Sequence, residues 1–596
     1  MKTFSKILTG FAVSLAVAGC SSDEPVNTPT PDTPDADGKV YLNVKINDAN
    51  TLSRATDGGY EDGVLDEHKV VRADFFFYDA NGRFVFRTNL TDMKGEASND
   101  ENIEYFTENL IVIQGLTQSE LPTYMVTLLN GPTVTPGATM KSLAEDVMFE
   151  TLRNNDGNFY MSTTSFFGQP KGETDRHDDS FYYATKLKST DFYAKAEDAQ
   201  NADPVNIYVE RLAAKFTLSG IKMNEYYPVT TVVAGNDNGN LPTGAPEAGT
   251  ELYVMFDGWG ITGQEKKSHL SKVLDSEWNP AGIDNWTSWN HSDYHRSYWG
   301  KSVSYGSKTP DLTTVTYEDA TNNVENAIYA HETTNTADNI RTENGNLLIR
   351  SRVTSVILTA TVYEKDADDN KVPANLVLYN GVYYRKEQFI SYALNIVNTS
   401  GELNYYICEN PDAAAGETKH YRQVSTDDMK LVKKKNTNTG RVEVAFNKPA
   451  ETLYARSVVD GNETFTAIDG GAEKLNNALR QNLTDMRDAV AYTNGKMFYS
   501  IPVEHLARTV SNGTYTVDGE GDYGVVRNHW YRVSVGNVMN MGNGIFIPEK
   551  VDDPTNPDDP EDPEPLIPED PTENKWALRA VINVLSWKIV NQSVDI

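Results

Sequence analysis

The end of the chain, WALRAVINVLSWKIVNQSVDI, is an apolar segment set behind an acidic, proline-rich spacer. The spacer, Val551 to Thr572, holds seven prolines and nine acidic residues and no lysine or arginine. Because proline fixes φ and the acidic side chains repel one another, the spacer should be extended, on the order of 60 Å long. A strand that is buried in its own domain needs no such spacer. The tail is therefore predicted to be a detached strand that a second molecule receives.

The tail has the alternation of a β-strand, in which successive side chains point to opposite faces. Its first apolar set is Trp576, Leu578, Ala580, Ile582 and Val584. The parity then changes, and the second apolar set is Leu585, Trp587 and Ile589. A bulge, or two short strands in succession, would explain this change. The alternative, a tail that folds back as an ordinary last strand, remains open.

The composition limits the classes of partner and of fold. The chain has 596 residues, enough for roughly two to four domains. Its 53 basic and 85 acidic residues give a net charge of −32, which argues against nucleic acid or an anionic lipid surface as a partner. The 32 tyrosines, with abundant threonine, valine and glycine, favour β-structure over helical bundles.

The first residues have the form of an export signal. Lys2 and Lys6 precede an apolar run, Ile7 to Ala18, that is too short for a permanent membrane helix. The run ends in Val-Ala-Gly-Cys20, which resembles a lipobox, in which the peptide is cut before the cysteine and the cysteine is acylated. Cys20 is therefore predicted to carry lipid such as palmitate. The alternative is a free thiol behind an ordinary signal peptide.

The first strand of the body lies just before an isolated basic residue. After a tether from Pro25 to Asp37, apolar and polar residues alternate in VYLNVKI, as in a strand with one buried face. The apolar residues are Val40, Leu42, Val44 and Ile46. The next segment, TLSRATDGG, is small, polar and glycine-containing, so it is predicted to be exposed. Its Arg54 is the only lysine or arginine between Lys45 and Lys69.

The remainder of the body alternates as β-domains do. VVRADFFFYDANGRFVF predicts a hairpin with its turn at Asp79 to Gly82. VNIYVERLAAKFTLSG predicts a strand, and we place a domain boundary before it, near Asp203-Pro204. The residues on one side of this strand are Leu212, Ala214, Phe216 and Leu218. The last body strand is predicted from Tyr523 to Val538.

Two segments have helical spacing. In the first, Lys141 to Leu152, Leu143 and Val147 share a face. In the second, roughly Glu473 to Val490, the apolar residues recur at helical intervals. They are Leu475, Leu479, Leu483, Met486 and Val490.

No catalytic or metal motif is complete, so neither an enzyme nor a cofactor nor a metal is predicted. His291 and His295 have a spacing that is weak evidence for a metal site, and Asp366 to Asn370 lacks the glycine and final carboxylate of a calcium loop. Cys408 is expected to be a buried apolar side chain. A tryptophan cluster is predicted to pack in a core or between domains, although exposed tryptophans could bind glycan. Its members are Trp278, Trp286, Trp289 and Trp299.

Seven segments together resemble the type V pilins, the fimbrillins of Gram-negative anaerobes, and most of all the shaft subunit of their short (minor) fimbriae. They are the lipobox ending at Cys20, VYLNVKI, the Arg54-Ala55 bond, VERLAAKF, DYHRSYWGKS, YGVVRNHWYRVSV and LRAVINVLSWKIVNQSVDI. The resemblance implies a mainly β fold with two tandem transthyretin-like β-sandwich domains, a few short helices and a detached C-terminal donor strand. The implied segments are a signal peptide (1–19), a removed propeptide (20–54), two sandwiches (55–203 and 204–550), the linker (551–572) and the donor strand (573–596).

The resemblance also implies how such a subunit matures. It is exported as an outer-membrane lipoprotein, and an arginine-specific protease cuts between Arg54 and Ala55. The first strand leaves, and the tail of a neighbouring subunit enters the vacated groove. The implied partners are further copies of the chain, tip and anchor subunits, and host or bacterial surface receptors, in support of adhesion and biofilm formation. The alternative is a surface-anchored, glycan-binding lipoprotein.

Overall fold

The structure is a computed structural model in which nineteen stretches of the chain are described. They are residues 39–49, 63–93, 95–97, 103–114, 120–169, 179–229, 251–275, 290–291, 295–342, 348–400, 404–434, 440–483, 489–505, 510–511, 514–515, 521–548, 565–567, 579–586 and 588–595. Several predicted sites lie outside them. These are Cys20, Arg54, Ala55, Trp576, Leu578, Trp587 and most of the linker.

The N-terminal domain is built on one ten-stranded sheet with the order β3-β2-β6-β8-β11-β1-β5-β4, in which β9 also pairs with β6 and β10 with β1. Phe75 and Phe77 of β2, near one end of the sheet, and Ile111 and Ile113 of β5, near the other end, belong to one apolar cluster. The sheet therefore curves around its core. The elements of this region are β1 (Lys39–Ala49), β2 (Arg72–Tyr78), β3 (Phe84–Thr91), β4 (Glu96–Ala97), β5 (Ile103–Gln114), β6 (Tyr124–Leu129), β7 (Met148–Phe149), β8 (Met161–Thr163), β9 (Thr185–Lys186), β10 (Phe192–Tyr193), α1 (Ala196–Gln200) and β11 (Val205–Arg211).

The predicted hairpin is confirmed, since β2 and β3 pair antiparallel. The side-chain oxygen of Asp79 accepts hydrogen bonds from the backbone N–H of Asn81 and of Arg83, both at 2.8 Å, and Gly82 has a φ of +70°. The predicted helix from Lys141 is wrong beyond its first turn. A helical turn covers Ser142–Asp146, and Met148–Phe149 then pairs with Ser268–His269, which requires extended backbone.

The second domain begins with nine strands. They are β12 (Ala213–Ser219), β13 (Tyr227–Val229), β14 (Leu252–Thr262), β15 (Ser268–His269), β16 (Asn290–His291), β17 (Arg296–Ser297), β18 (Ile328–His331), β19 (Ser355–Lys365) and β20 (Lys371–Pro373). The predicted boundary at Asp203-Pro204 is too early, because β11 pairs with β1 and β8 in the N-terminal sheet. The chain enters the second domain at Leu212, between β11 and β12.

An insertion that the sequence analysis did not predict follows β20. Its two sheets, β22-β21-β29-β26-β25 and β24-β23-β27-β28, and two helices surround a separate apolar core. Its elements are β21 (Leu376–Tyr379), β22 (Val382–Arg385), α2 (Lys386–Ser400), β23 (Tyr405–Cys408), β24 (Tyr421–Gln423), β25 (Met429–Lys433), β26 (Arg441–Phe446), β27 (Leu453–Val459), β28 (Asn462–Ala467), α3 (Gly471–Leu483) and β29 (Ala489–Tyr492).

The helix predicted at Glu473 to Val490 is confirmed in its first part, since α3 buries Leu475 and Leu479. It is wrong at its end. Val490 lies in β29, where it pairs with Leu378 of β21. The β-branched side chain of valine favours such a strand position over a helix.

The second domain is then completed by β30 (Lys496–Pro502), β31 (Val510–Ser511), β32 (Thr514–Tyr515), β33 (His529–Val535) and β34 (Asn543–Gly544), and the tail contributes β35 (Arg579–Ser586) and β36 (Lys588–Asp595). Its two sheets have the orders β18-β12-β33-β36-β35 and β13-β14-β19-β30-β34, and they enclose the largest apolar cluster. Phe216 of β12 stacks on Tyr531 of β33 with ring centroids 4.9 Å apart. Ala214 and Leu218 are buried in the same cluster, whereas Leu212 packs against the N-terminal domain. The mainly β fold is therefore confirmed.

Candidate functional site

The strand β1 lies in the interior of the N-terminal sheet. On one side it pairs antiparallel with β5 along its whole length, from Lys39 opposite Gln114 to Ala49 opposite Ile103. On the other side Leu42 lies opposite Phe192 of β10, and Val44 to Asp48 then run parallel to β11. Removal of β1 would separate β5 from β11 and leave unpaired backbone groups on both, which is a groove of the width of one strand.

The side chains of Leu42 and Val44 fill the core beneath this groove. Both have 0% exposure, and Leu42 lies opposite Ile111 of β5, which is also fully buried. For Val40 and Ile46 the structure describes only the backbone, which pairs with Ile113 and with Thr107. A strand that replaces β1 must therefore supply apolar side chains at alternate positions, because empty core positions would leave cavities.

The two walls of the groove are held very differently. Among the described strands, β5 pairs only with β1 and with the two-residue β4. The other wall, β11, pairs with β8 and ends in two charged residues, Glu210 and Arg211, that are buried at the junction with the second domain. One wall thus depends on β1 for its sheet hydrogen bonds, and the other does not.

One buried ion pair joins the β11 wall to the second domain, and a second pair lies beside it within that domain. The Nζ of Lys272 lies 2.8 Å from a carboxylate oxygen of Glu210, and the Nε of Arg527 lies 3.1 Å from Glu332. Burial raises the pKa of Glu210 and lowers that of Lys272, while each partner's charge opposes that shift. The Arg527 guanidinium also donates to the backbone oxygens of His269 and Leu270. Because each charge is paired, this network is costly to open.

The chain that follows the predicted cleavage bond is anchored at the same junction. Arg54 and Ala55 lie in residues 50–62, between the end of β1 and the first described residue after it, Gly63. The carboxylate of Glu67 lies 2.7 Å from the Nζ of Lys215 and accepts a hydrogen bond from the hydroxyl of Tyr329. The backbone oxygen of Glu67 accepts from the Nε of Arg211 at 2.7 Å. A cut before Glu67 would therefore leave this attachment in place.

The junction residues were not predicted, although the sequence contains a sign of them. Glu210, Arg211 and Lys215 lie in the apolar run VERLAAKF, where charged side chains on a buried strand require partners. Their partners, such as Glu67, Lys272 and Asn528, are distant in sequence. Only the fold brings them together.

The tail forms a hairpin on the chain's own second domain. β35 and β36 pair antiparallel, and β36 runs parallel to β33 from His529 opposite Lys588 to Val535 opposite Val594. The change of parity thus corresponds to two short strands, with Ala580, Ile582, Val584 and Leu585 on β35 and Ile589 on β36. The expected detached strand is instead seen on a sheet edge of its own chain, where it pairs with the N–H and C=O groups that β33 would otherwise present to solvent.

The other candidate sites are structural. The ring of His295 stacks on Tyr208 at 3.5 Å, and no group of three or more metal-ligating residues occurs in the described stretches. Asp366 closes a turn through the backbone N–H of Asp368 and Asn370. Trp299 packs against His505 and is 3% exposed; the other three tryptophans of its cluster lie outside the described residues. Cys408 is buried.

Among the helices that the structure describes, none has both the length and the apolar character that crossing a membrane requires.

Comparison with known proteins finds a family match in the C-terminal part of the chain. Residues 490–593 match the family model described as "Major fimbrial subunit protein type IV, Fimbrillin, C-terminal". None of the curated proteins matches the chain. A fimbrial assembly protein from Parabacteroides distasonis is 10% identical, with 56% of this chain and 86% of that chain covered and a TM-score of 0.23. The tip fimbrial protein Mfa3 from Porphyromonas gingivalis, with C-terminal truncation, is 11% identical, with 56% and 82% covered and a TM-score of 0.22.

The family match indicates the class of protein that the C-terminal part of the chain resembles. That class is the structural subunits of cell-surface fimbriae. The matched segment contains β30, β33 and most of the tail hairpin, so this part of the chain is similar to the C-terminal part of fimbrillins.

Proposed function

We propose that the chain is a shaft subunit of short fimbriae that polymerises by exchange of strands between subunits. In this proposal it reaches the outer membrane as a lipoprotein acylated at Cys20. A protease then cuts between Arg54 and Ala55, and β1 leaves with the lipid. The tail of a neighbouring copy enters the groove that β1 vacates. The observation that carries this proposal is the interior position of β1, a strand with Leu42 and Val44 fully buried that ends at Ala49, upstream of the arginine.

Burial and backbone pairing supply the energy for the exchange. Each large apolar side chain that replaces Leu42 or Val44 contributes about 1.5–3 kcal/mol on burial. Hydrogen bonds to β5 on one side and to β10 and β11 on the other add to this through strand addition. The tail offers apolar residues at alternate positions, among them Ala580, Ile582 and Val584. These can follow the period of the β1 core positions.

The arrangement of donor and groove gives a filament rather than a closed dimer. The groove belongs to the N-terminal domain, and the tail follows the second domain at the other end of the chain. A contact between two different surfaces of the same molecule does not close on itself, so its repetition extends an assembly. We infer that the partners are further copies of the chain, with tip and anchor subunits at the two ends, and that the filament supports adhesion through surface receptors and biofilm formation.

The alternative, a glycan-binding lipoprotein, depended on exposed tryptophans. Trp299, the described member of that cluster, is buried against His505. No observation on the described residues favours the alternative.

The proposal is tested at the cleavage bond. Arg54→Ala should leave an uncut, lipidated precursor on the membrane and abolish the ladder of polymers in unboiled gels. Lys69→Ala is the matched control, because Lys69 is the next basic residue and its side chain is exposed. The N-terminus of material sheared from cells is then determined by mass spectrometry. Ala55 is expected; normal filaments from the Arg54→Ala strain would show that this bond has no part in assembly.

A further inference from the structure

A short part of the acidic spacer is bound to the body of the second domain. The leucine of the segment Pro565-Leu566-Ile567 is 1% exposed, whereas Pro565 and Ile567 on either side of it are exposed. The backbone N–H of Leu566 donates to the backbone oxygen of Val315 at 2.7 Å, and Pro565 forms an antiparallel bridge with Thr316. Leu566 is therefore an apolar contact point between the described part of the spacer and the body.

The pocket that receives Leu566 lies on the face of the β14-β19-β30 sheet opposite to the main core. Its residues include Ile357 of β19, Phe498 of β30 and Ile545 next to β34, all buried. Val315 and Ala320 form the remaining wall. Leu566 thus completes an apolar cluster that the body supplies from four separate parts of the chain.

The wall of the pocket is held in place by contacts within the body. The loop from Val315 to Ala320 is closed by hydrogen bonds of its own, among them one from the Thr316 hydroxyl to Asp319 at 2.7 Å and one from the Ala320 N–H to the Thr316 backbone oxygen at 3.1 Å. Gly258 lets this loop approach the sheet, because a Cβ there would lie 2.2 Å from the Ala320 oxygen. Such a contact is not possible for any other residue type without movement of the backbone.

We infer that Leu566 is an anchor that fixes the point at which the tail leaves the subunit. The inference rests on the proposed function, in which the tail enters a neighbouring groove. With Leu566 bound, the part of the spacer between the anchor and the tail is Ile567 to Thr572, whose extended length is roughly 20 Å instead of roughly 60 Å for the whole spacer. A shorter tether restricts where the tail can bind, so the anchor sets the spacing between neighbouring subunits.

The anchor itself is tested in the unassembled protein. Hydrogen exchange should show the Leu566 amide protected relative to the surrounding spacer, because it is bonded to Val315. Leu566→Ser should remove this protection, and Ile567→Ser should retain it, since Ile567 is 38% exposed. An unprotected Leu566 amide in the wild-type chain would overturn the inference whatever the filaments show.

The effect on assembly is measured by electron microscopy of purified filaments. Leu566→Ser should yield filaments with an irregular axial repeat, while Ile567→Ser should keep the wild-type repeat. A wild-type repeat from Leu566→Ser would overturn the anchor and leave strand exchange intact. Truncation after Thr572 separates the two ideas, because a truncated subunit that still polymerises would refute the proposed function itself.

Discussion

Replacement of Leu42 by alanine should destabilise the precursor and leave the mature subunit unchanged. Leu42 is fully buried opposite Ile111, which is fully buried as well, so the lost methyl groups leave a cavity that neighbouring side chains cannot easily fill. A change of this kind costs about 2–5 kcal/mol, and we expect about 3 kcal/mol for the N-terminal domain. After cleavage the expected loss is zero, because the altered residue leaves with the propeptide.

The measurement is the urea unfolding of the N-terminal domain in two forms of the chain. The uncut form carries Arg54→Ala, and the mature form begins at Ala55 after removal of the released peptide. Ile111→Ala should destabilise both forms because β5 stays in the subunit, and Val112→Ala should affect neither strongly, since Val112 is 37% exposed. An uncut form that Leu42→Ala leaves unchanged would refute the placement of β1 in the core. A loss that persists after cleavage would refute its departure.

Three further predictions concern the groove, the tail and the buried His331. Cleavage should raise the hydrogen-exchange rate of the β5 amides by about tenfold or more, because β5 loses its main partner. The exchange rate of β2, which lies between β3 and β6, should be unchanged. Equal β5 exchange before and after the cut would contradict this prediction. Ile582→Asp should abolish polymer ladders and Asn583→Asp should not, since a strand that buries one residue exposes the next; equal behaviour of the two would exclude this segment as the donor. Burial lowers the pKa of His331 to about 4, below the ordinary value near 6.5. Between these two pH values the unfolded chain binds more protons than the folded chain, so the free energy of unfolding decreases as the pH falls. From pH 8 to pH 5 the loss is about 2 kcal/mol, and His331→Gln should reduce it in urea titrations; an unchanged acid limb would show that His331 does not titrate in this way.

Local patterns in the sequence predicted the elements whose buried positions follow from the alternation of apolar and polar residues. The period of two in VYLNVKI predicted the inward positions of Leu42 and Val44, and both are fully buried. The Asp79 to Gly82 turn was also readable, because its hydrogen bonds are local. In both cases the information lies within a few residues of the feature.

The features that the sequence did not predict depend on distant partners. The insertion from β21 to β29 is a separate unit only because its strands pair with one another rather than with the neighbouring sheets. Helical spacing was extended to Val490 because nothing local shows that Val490 pairs with Leu378. Leu566 and Ile567 stand among acids and prolines, a composition that predicts no packing, and the pocket of Leu566 is formed by residues distant from it in sequence.

The position of the tail on its own chain bears on when assembly can begin. In the precursor the groove is occupied by β1, and the tail pairs with the body through a single strand, β33. A strand in the place of β1 has body strands on both sides, and each added backbone hydrogen bond contributes about 1 kcal/mol net. It also fills the fully buried positions of Leu42 and Val44, which add about 1.5–3 kcal/mol for each large side chain. On the proposed mechanism, cleavage therefore changes which site binds the tail more stably. While β1 is present, the tail is more stable on β33 of its own chain. Once the protease has released β1 and the lipid, the tail is more stable in the groove of the neighbouring subunit.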